Sequence, residues 1–260
     1  MLDFELIKKS LSKLFPKENI FLYKCTDSTN NRALEYGKKG GLTPAVFIAE
    51  EQTGGRGRRG RSFVSNPNAA IFVTFLLSPE DIGEIEGATA FSAVAAREAI
   101  LSNTGIHAGI KWVNDLYAPT PTKESKKLAG ILTEGVTQDG KIEKIAIGIG
   151  INVYKSALSE EISSIATSLE EVSGICFNRE ALLLSLAKSI LKRRTKEEVL
   201  YEYRRHSFTL GKRVEVRPHT APCYDARAKE ILDDYSLLVE KDDGEEIRVF
   251  SGEVSVKPTE

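Results

Sequence analysis

Apolar residues at Phe4, Ile7, Leu11 and Leu14 recur at helical spacing, with Asp3 available as a cap and Pro16 just beyond, so the pattern predicts an amphipathic helix from Asp3 to Phe15. An apolar run from Ile20 to Tyr23 follows, then the polar patch Asp27-Ser28-Thr29-Asn30, which has the look of a helix cap, a short helix towards Lys39 and a buried-strand run from Ala45 to Ala49. This is the pattern of a β–α–β start. Ala70 to Leu77 reads as a further strand, and Ala88 to Ser102 as a helix rich in small residues, able to pack closely on a sheet. From Gly109 to Val153 strand follows strand: Ile110 to Val113, Leu116 to Ala118, Leu128 to Val136 and Ile142 to Val153. Asp139-Gly140 between the last two is a two-residue hairpin signal, which makes this stretch antiparallel.

Asn178 to Arg205 reads as one long helix, capped by Asn178 and carrying Leu182, Leu186 and Ile190 on one stripe. After Gly211 the texture changes to short strands at Val214 to Val216, Ala226 to Leu232, Ser236 to Glu240, Glu246 to Phe250 and Val254 to Val256, with Asp242-Asp243-Gly244 as a turn. About fifty residues of short strands suggest a small β-barrel appended to a larger α+β unit. The chain contains no internal repeat and no low-complexity segment.

Composition narrows the classes. With 41% hydrophobic and 28% charged residues the 260-residue chain has the make-up of an ordinary soluble globular protein. Its 36 Lys and Arg nearly balance 37 Asp and Glu, for a net charge of -1, which argues against a polyanion binder that works by counterion release. Cys25, Cys176 and Cys223 are scattered without disulfide or zinc spacing and read as reduced thiols of a cytoplasmic protein. Neither a signal peptide nor an apolar run of membrane-spanning length is present, so a cytoplasmic, membrane-free protein is expected.

Three features carry candidate chemistry. Gly54-Gly55-Arg56-Gly57-Arg58-Arg59-Gly60-Arg61 packs four arginines and four glycines into eight residues. Glycine lets a backbone approach a ligand, and guanidinium groups bind carboxylate or phosphate bidentately. The loop suits an anionic small molecule, an RNA-binding element or an inert basic loop; it is no Walker A loop, because the Gly-Lys-Ser/Thr ending is missing. In Lys144 to Val153, Ile145, Ile147, Ile149, Ile151 and Val153 alternate with Ala146, Gly148, Gly150 and Asn152, so one strand face is almost bare backbone ending in an amide. Either a helix or a flat ligand packs against such a face. Lys111-Trp112-Val113-Asn114-Asp115, with the only tryptophan, and Lys126-Lys127-Leu128-Ala129-Gly130 flank the loop 119–125; these charges either serve a ligand or decorate a solvated hairpin. His107, His206 and His219 are far apart, no metal-ligand set is assigned, and no serine sits in a nucleophile elbow. An enzyme built this way works by positioning and electrostatics.

Taken in order, Asp27 to Asn30, Gln52 to Gly60, Lys111 to Asp115, Lys127 to Gly130 and the Gly148/Gly150/Asn152 strand resemble the biotin protein ligase family, over roughly residues 20 to 155. The resemblance implies an α+β fold with a mixed, largely antiparallel sheet flanked by helices, like class II aminoacyl-tRNA synthetases, in a catalytic biotin/ATP-binding domain at 1–208 and a small SH3-like β-barrel domain at 209–260. It implies an ATP-dependent ligase that makes biotinyl-5'-AMP from biotin and ATP, releasing pyrophosphate, and then biotinylates a lysine of a biotin carboxyl carrier protein or domain of a biotin-dependent carboxylase. Mg²⁺ on the phosphates is part of that expectation. Carried over by position, Ser28, Thr29, Asn30, Gln52, Gly55, Arg56, Gly57, Arg58, Lys127, Gly130, Gly148 and Gly150 face biotin. Arg58, Arg61, Phe63, Lys111, Asn114 and Asn152 face ATP. Lys127, Arg58 and Asp115 are the catalytic positions, Asp115 orienting or deprotonating the incoming lysine or else simply pairing with Lys111.

Phe63 stands where the family usually has tryptophan, Val113 where it has proline, and the linker before Lys127 is several residues longer than common. A lipoate or octanoate ligase of related fold is the nearest alternative, and the Gly-Arg-Gly-Arg-Arg-Gly block favours biotin. A homodimer is possible. Some family members also repress transcription through an N-terminal winged helix-turn-helix; here one helix precedes Asp27, so no DNA binding and no repressor activity are expected.

Overall fold

The structure is a computed structural model that describes residues 1–60, 63, 66–83, 85–218, 222–250 and 253–257. The chain opens with α1 (Phe4–Leu11), whose N-cap Asp3 accepts a hydrogen bond from the Leu6 amide. Next come β1 (Ile20–Thr26), α2 (Thr29–Lys38) and β2 (Ala45–Gln52), with β1 and β2 parallel, as a β–α–β unit requires. The remaining elements of the first layer are β3 (Ala70–Leu77), α3 (Pro79–Ile82), α4 (Ala88–Thr104), β4 (Gly109–Lys111), β5 (Asp115–Pro119), β6 (Ser125–Gln138) and β7 (Lys141–Asn152). They form one mixed seven-stranded sheet in the order β1-β2-β3-β7-β6-β5-β4, antiparallel apart from the first pair. Asp139 and Gly140 both take positive φ (49° and 78°), the backbone that a two-residue hairpin between β6 and β7 demands.

Period-two alternation gives this sheet two different faces. Ile145, Ile147, Ile149 and Ile151 of β7, with Ile71, Val73 and Phe75 of β3, point into the main core against α1, α4 and the later helices. Helix α4 is buried on nearly all sides, and its alanines let it approach both the sheet and the helices behind it. The opposite face carries α2, packed through Ala33 on Phe47, Leu76 and Ala146, and leaves Gly148 and Gly150 beside it.

After α5 (Leu169–Ser173), the long helix expected from Asn178 to Arg205 is two helices, α6 (Arg179–Leu191) and α7 (Lys196–Arg205). Lys192 is extended, and Thr195 forms a capping box with Glu198, which starts a new helix. Arg194 seals the break by donating to the Ser189 and Lys192 carbonyls and by pairing with Glu98 of α4. The Thr-x-x-Glu signal stands in the wholly polar stretch 192–198, and that gap in the apolar periodicity marks the same break.

The second sheet is five-stranded and antiparallel: β8 (Arg213–Arg217), β9 (Tyr224–Ile231), β10 (Leu237–Glu240), β11 (Glu246–Val249) and β12 (Glu253–Val256), in the order β11-β10-β9-β8-β12. This is consistent with the small barrel expected from the short strands. Its apolar side joins the main core. Trp112 ties the two sheets together: its Nε1 donates to the Tyr235 carbonyl (2.9 Å), and its backbone N–H donates to Thr209 Oγ1 (2.9 Å). None of the described helices is long and apolar enough to cross a membrane.

Tyr203 of α7 is fully buried and donates its hydroxyl to the Val113 carbonyl at 2.8 Å; burial holds that hydroxyl neutral, far above its ordinary pKa. Tyr203→Phe would strand the carbonyl in the core and lower stability by about 1–2 kcal/mol. Chemical denaturation of the two proteins side by side checks this, and equal midpoints would contradict it.

Candidate functional site

A cavity of about 400 Å³ opens on the α2 side of the large sheet. Its floor is the bare stripe of β7 and the residues in register with it: Phe72 opposite Gly150, Thr74 opposite Gly148, Gly130 opposite Gly150 and Leu132 opposite Gly148. The glycines are required by what lies on them. A Cβ on Gly148 would fall 1.9 Å from Asn30 Oδ1, and one on Gly150 would fall 2.6 Å from the Phe63 ring. The helix reading of the bare face therefore holds over one stretch, where α2 covers it through Asn30, and a cavity lies beside it over the rest.

One end of the cavity is a polar nest at the start of α2. Ser28, Thr29 and Asn30 are almost fully buried. Gln52, at the end of β2, accepts from the Thr29 amide (2.7 Å) and the Thr29 hydroxyl (3.0 Å) through Oε1. Thr74 donates to Asn30 Oδ1 at 2.6 Å, and Asn30 Nδ2 donates to Glu134 at 2.9 Å. Beneath the nest, burial alone would raise the Asp27 carboxyl, but hydrogen bonds from Asn31 and Arg32 outweigh it and hold that group well below the usual carboxylate range.

The Gly/Arg loop closes over this end. Arg56 makes a two-oxygen contact with Glu134 (2.7 Å to each), and Gly55 pairs with Phe63, whose amide donates to the Gly55 carbonyl at 3.0 Å. Gly57 and Arg58 line the cavity, Arg58 donating to Asn114 Oδ1 at 3.2 Å, while Arg61 lies outside the described residues, as does His219.

The other end gathers Lys111, Asn114, Asp115, Lys127 and Asn152 around the cavity wall. Strand β4 stops at Lys111, so the turn through Asn114 brings that amide to the same side as Lys111 and Asp115 instead of opposing them; the Trp112–Val113 peptide within it is cis. Asp115 Oδ1 pairs with Lys127 Nζ at 2.8 Å, because the bulge between Leu116 and Tyr117 slides β6 along β5 and brings Lys127 over Asp115. Lys111 Nζ donates to the Tyr117 hydroxyl at 3.3 Å. Asn152 is 3% exposed; its Nδ2 donates to the Thr167 carbonyl, while its Oδ1 meets no hydrogen-bonding partner among the described residues.

The sequence reading missed Thr74, Glu134, Tyr117 and the segment carrying Ile162, Ile165 and Ala166, which lines the cavity beside Lys127. Thr74 carried a signal, as the sole polar residue in an otherwise apolar strand. Glu134 carried one too, since it shares its strand face with Gly130. The 162–166 segment has no periodicity and reaches the site through its neighbours on β6: the Lys127 amide donates to the Ile165 carbonyl and Lys126 Nζ to the Ser163 carbonyl.

Gly148→Ala tests the floor. The added methyl would have to displace an amide already held by Thr74 and Glu134, so the variant should fold but lose ligand affinity at the nest by at least about tenfold, through a lost charged-group hydrogen bond and the disturbance of its neighbours. Calorimetric titration checks it, and wild-type affinity would show that Asn30 need not stay where it is.

The chain is 28% identical over 244 residues to the bifunctional ligase/repressor BirA of Bacillus spizizenii, covering 88% of this chain and 71% of that protein. It is 29% identical to the biotin–(acetyl-CoA-carboxylase) ligase of Mycobacterium tuberculosis, over 88% of this chain and 85% of the other. The structure of the biotin protein ligase from Aquifex aeolicus in complex with biotin and ATP superposes with a TM-score of 0.74 at 26% identity, covering 93% of this chain and all of that one. The model of the biotin/lipoate A/B protein ligase family matches residues 22–152. Because that match spans half of the sequence and takes in every strand of the cavity floor, the chain belongs to the biotin/lipoate A/B protein ligase family.

Proposed function

We propose that this protein is a biotin protein ligase that activates biotin with ATP and transfers it to a lysine of a biotin carboxyl carrier protein or domain. The observation that carries the reading is the Lys127–Asp115 pair at the junction of a buried amide-and-hydroxyl nest with a cation-lined end. The nest of Ser28, Thr29, Asn30 and Gln52 offers donors and acceptors that fit a neutral ureido ring. The Gly/Arg loop and Lys127 offer cations where the carboxylate at the other end of biotin would lie. Arg58, Lys111, Asn114, Asn152 and the Phe63 ring would face the nucleotide, with Arg61 as a further candidate.

In the first step a biotin carboxylate oxygen attacks the α-phosphorus of ATP and pyrophosphate leaves. Negative charge gathers on the phosphate and carboxylate oxygens, and Lys127, bridging them, offsets it. As Lys127 turns to the phosphate it releases Asp115. In the second step the carrier lysine amine attacks the acyl carbon of the mixed anhydride and AMP leaves; the amine proton passes to Asp115 or to water. No group of three or more His, Cys, Asp or Glu among the described residues could hold a metal ion, so Mg²⁺ would arrive on the ATP phosphates, with Asn114 and Asp115 as nearby oxygen donors, and would neutralise phosphate charge. Helix α1 is committed to the core through Ile7 and Leu11, which leaves it unsuited to reading DNA, and we infer a ligase without operator binding.

Incubation with biotin, Mg-ATP and a carrier domain should label the carrier, and Lys127→Ala should lower the rate by about 10²-fold or more, the usual cost of removing one such charge-stabilising group. Equal labelling by both proteins would sink the assignment. Biotin, and not lipoate, should support exchange between ATP and pyrophosphate.

The loop makes a separate test possible. Four glycines make it costly to order alone, so biotin and ATP together should slow tryptic cleavage at Arg58. Unchanged cutting would mean that the loop does not fold over the ligand.

A further inference from the structure

Lys111 reaches the cavity from the edge of the sheet, where a four-carbon stem would ordinarily leave its ammonium free to choose among many directions. Here the ammonium lies over the Tyr117 ring, 5.0 Å from its centroid, and donates to the Tyr117 hydroxyl at 3.3 Å. Tyr117 in turn stacks on Phe208, with centroids 5.1 Å apart and planes 21° from parallel. Phe208 belongs to the connection between α7 and β8, and it carries Lys212 Nζ against its ring at 3.1 Å.

This stack is held by the backbone. The Phe208 amide donates to the Ile110 carbonyl (2.7 Å) and the Ile110 amide to the His206 carbonyl (2.8 Å), which zips the connection onto β4. Gly109 stands opposite Tyr117 in register, and a Cβ there would come within 3.1 Å of the Phe208 Cβ, so the missing side chain makes the room that Phe208 uses. Phe208 itself does not line the cavity, whereas Lys111 and Tyr117 do.

We propose that Tyr117 and Phe208 are positioning residues, which aim the Lys111 ammonium at the phosphates of the bound nucleotide and make its direction depend on the seating of the connection to the five-stranded sheet. This rests on the reading of the cavity as an ATP and biotin site. A cation held over an aromatic face loses less freedom when an anion arrives, so the stack should act on nucleotide affinity and leave biotin alone.

The test measures KM for ATP, KM for biotin and kcat in the exchange reaction, together with ATP affinity by calorimetry, for wild type, Phe208→Leu, Phe208→Tyr, Tyr117→Phe and Lys111→Ala. Phe208→Leu should raise KM for ATP about three- to fivefold, the worth of one such cation–ring contact. KM for biotin should stay put, and Phe208→Tyr should restore the wild-type value. Tyr117→Phe, which keeps the ring and removes the acceptor, guards against a folding defect in the leucine variant and should raise KM for ATP about twofold or more. In a Lys111→Ala background the effect of Phe208→Leu should vanish, because Phe208 acts through Lys111. Additive effects, or equal rises in KM for both substrates, would overturn the proposal. Wild-type protein that binds ATP with no dependence on Phe208 overturns it alone; wild-type protein that binds no ATP overturns the reading of the cavity with it.

Discussion

Everything at the site depends on the alternation of branched residues and glycines along β7. Each buried isoleucine contributes on the order of 1.5–3 kcal/mol by leaving water, and four of them on one face commit the strand to the core. That commitment fixes which face Gly148 and Gly150 show. A slip of one residue would turn the isoleucines into the cavity and the glycines into the core, so the register that stabilises the fold is also the one that makes the floor. The interior of β3, with Phe72 and Thr74 set opposite the two glycines, follows the same constraint.

On this floor the polar side chains hold one another before any ligand arrives. Asn30 is fixed by Thr74 and Glu134, and Glu134 also holds Arg56 of the loop, so the nest and its cover share one carboxylate. Asp115 and Lys127 neutralise each other at the centre. These pairs compensate charge within the free protein, which limits the desolvation cost of assembling cations in a half-buried cavity.

Much of the fold could be read from the chain because strands and hairpins announce themselves locally. Ala70 to Leu77 matches β3 at both ends, and Asp139-Gly140 marks the β6–β7 turn. The break between α6 and α7 left a mark that the Leu182, Leu186 and Ile190 stripe overshadowed: Val199 and Tyr203 stand half a turn out of phase with that stripe, while the interruption itself rests on Arg194 pairing with Glu98 of α4, which no local pattern encodes. The site was legible wherever one motif held its own chemistry, as in the Gly/Arg loop. Where two strands must meet, it was not: the pairing of Asp115 with Lys127 depends on a bulge at Leu128 of β6 that no local pattern encodes, and the residues of 162–166 join through contacts with Lys126 and Lys127 that are distant in sequence.

Trp112 reports on the same architecture. It is the chain's sole tryptophan, buried at the turn that also carries Asn114, with its indole N–H on the Tyr235 carbonyl of the five-stranded sheet. The protein thus has a single indole emitter, placed on the seam between its two sheets and in the wall of the cavity. Its fluorescence is a native gauge of how firmly that seam is closed, free of any competing tryptophan signal from elsewhere in the molecule.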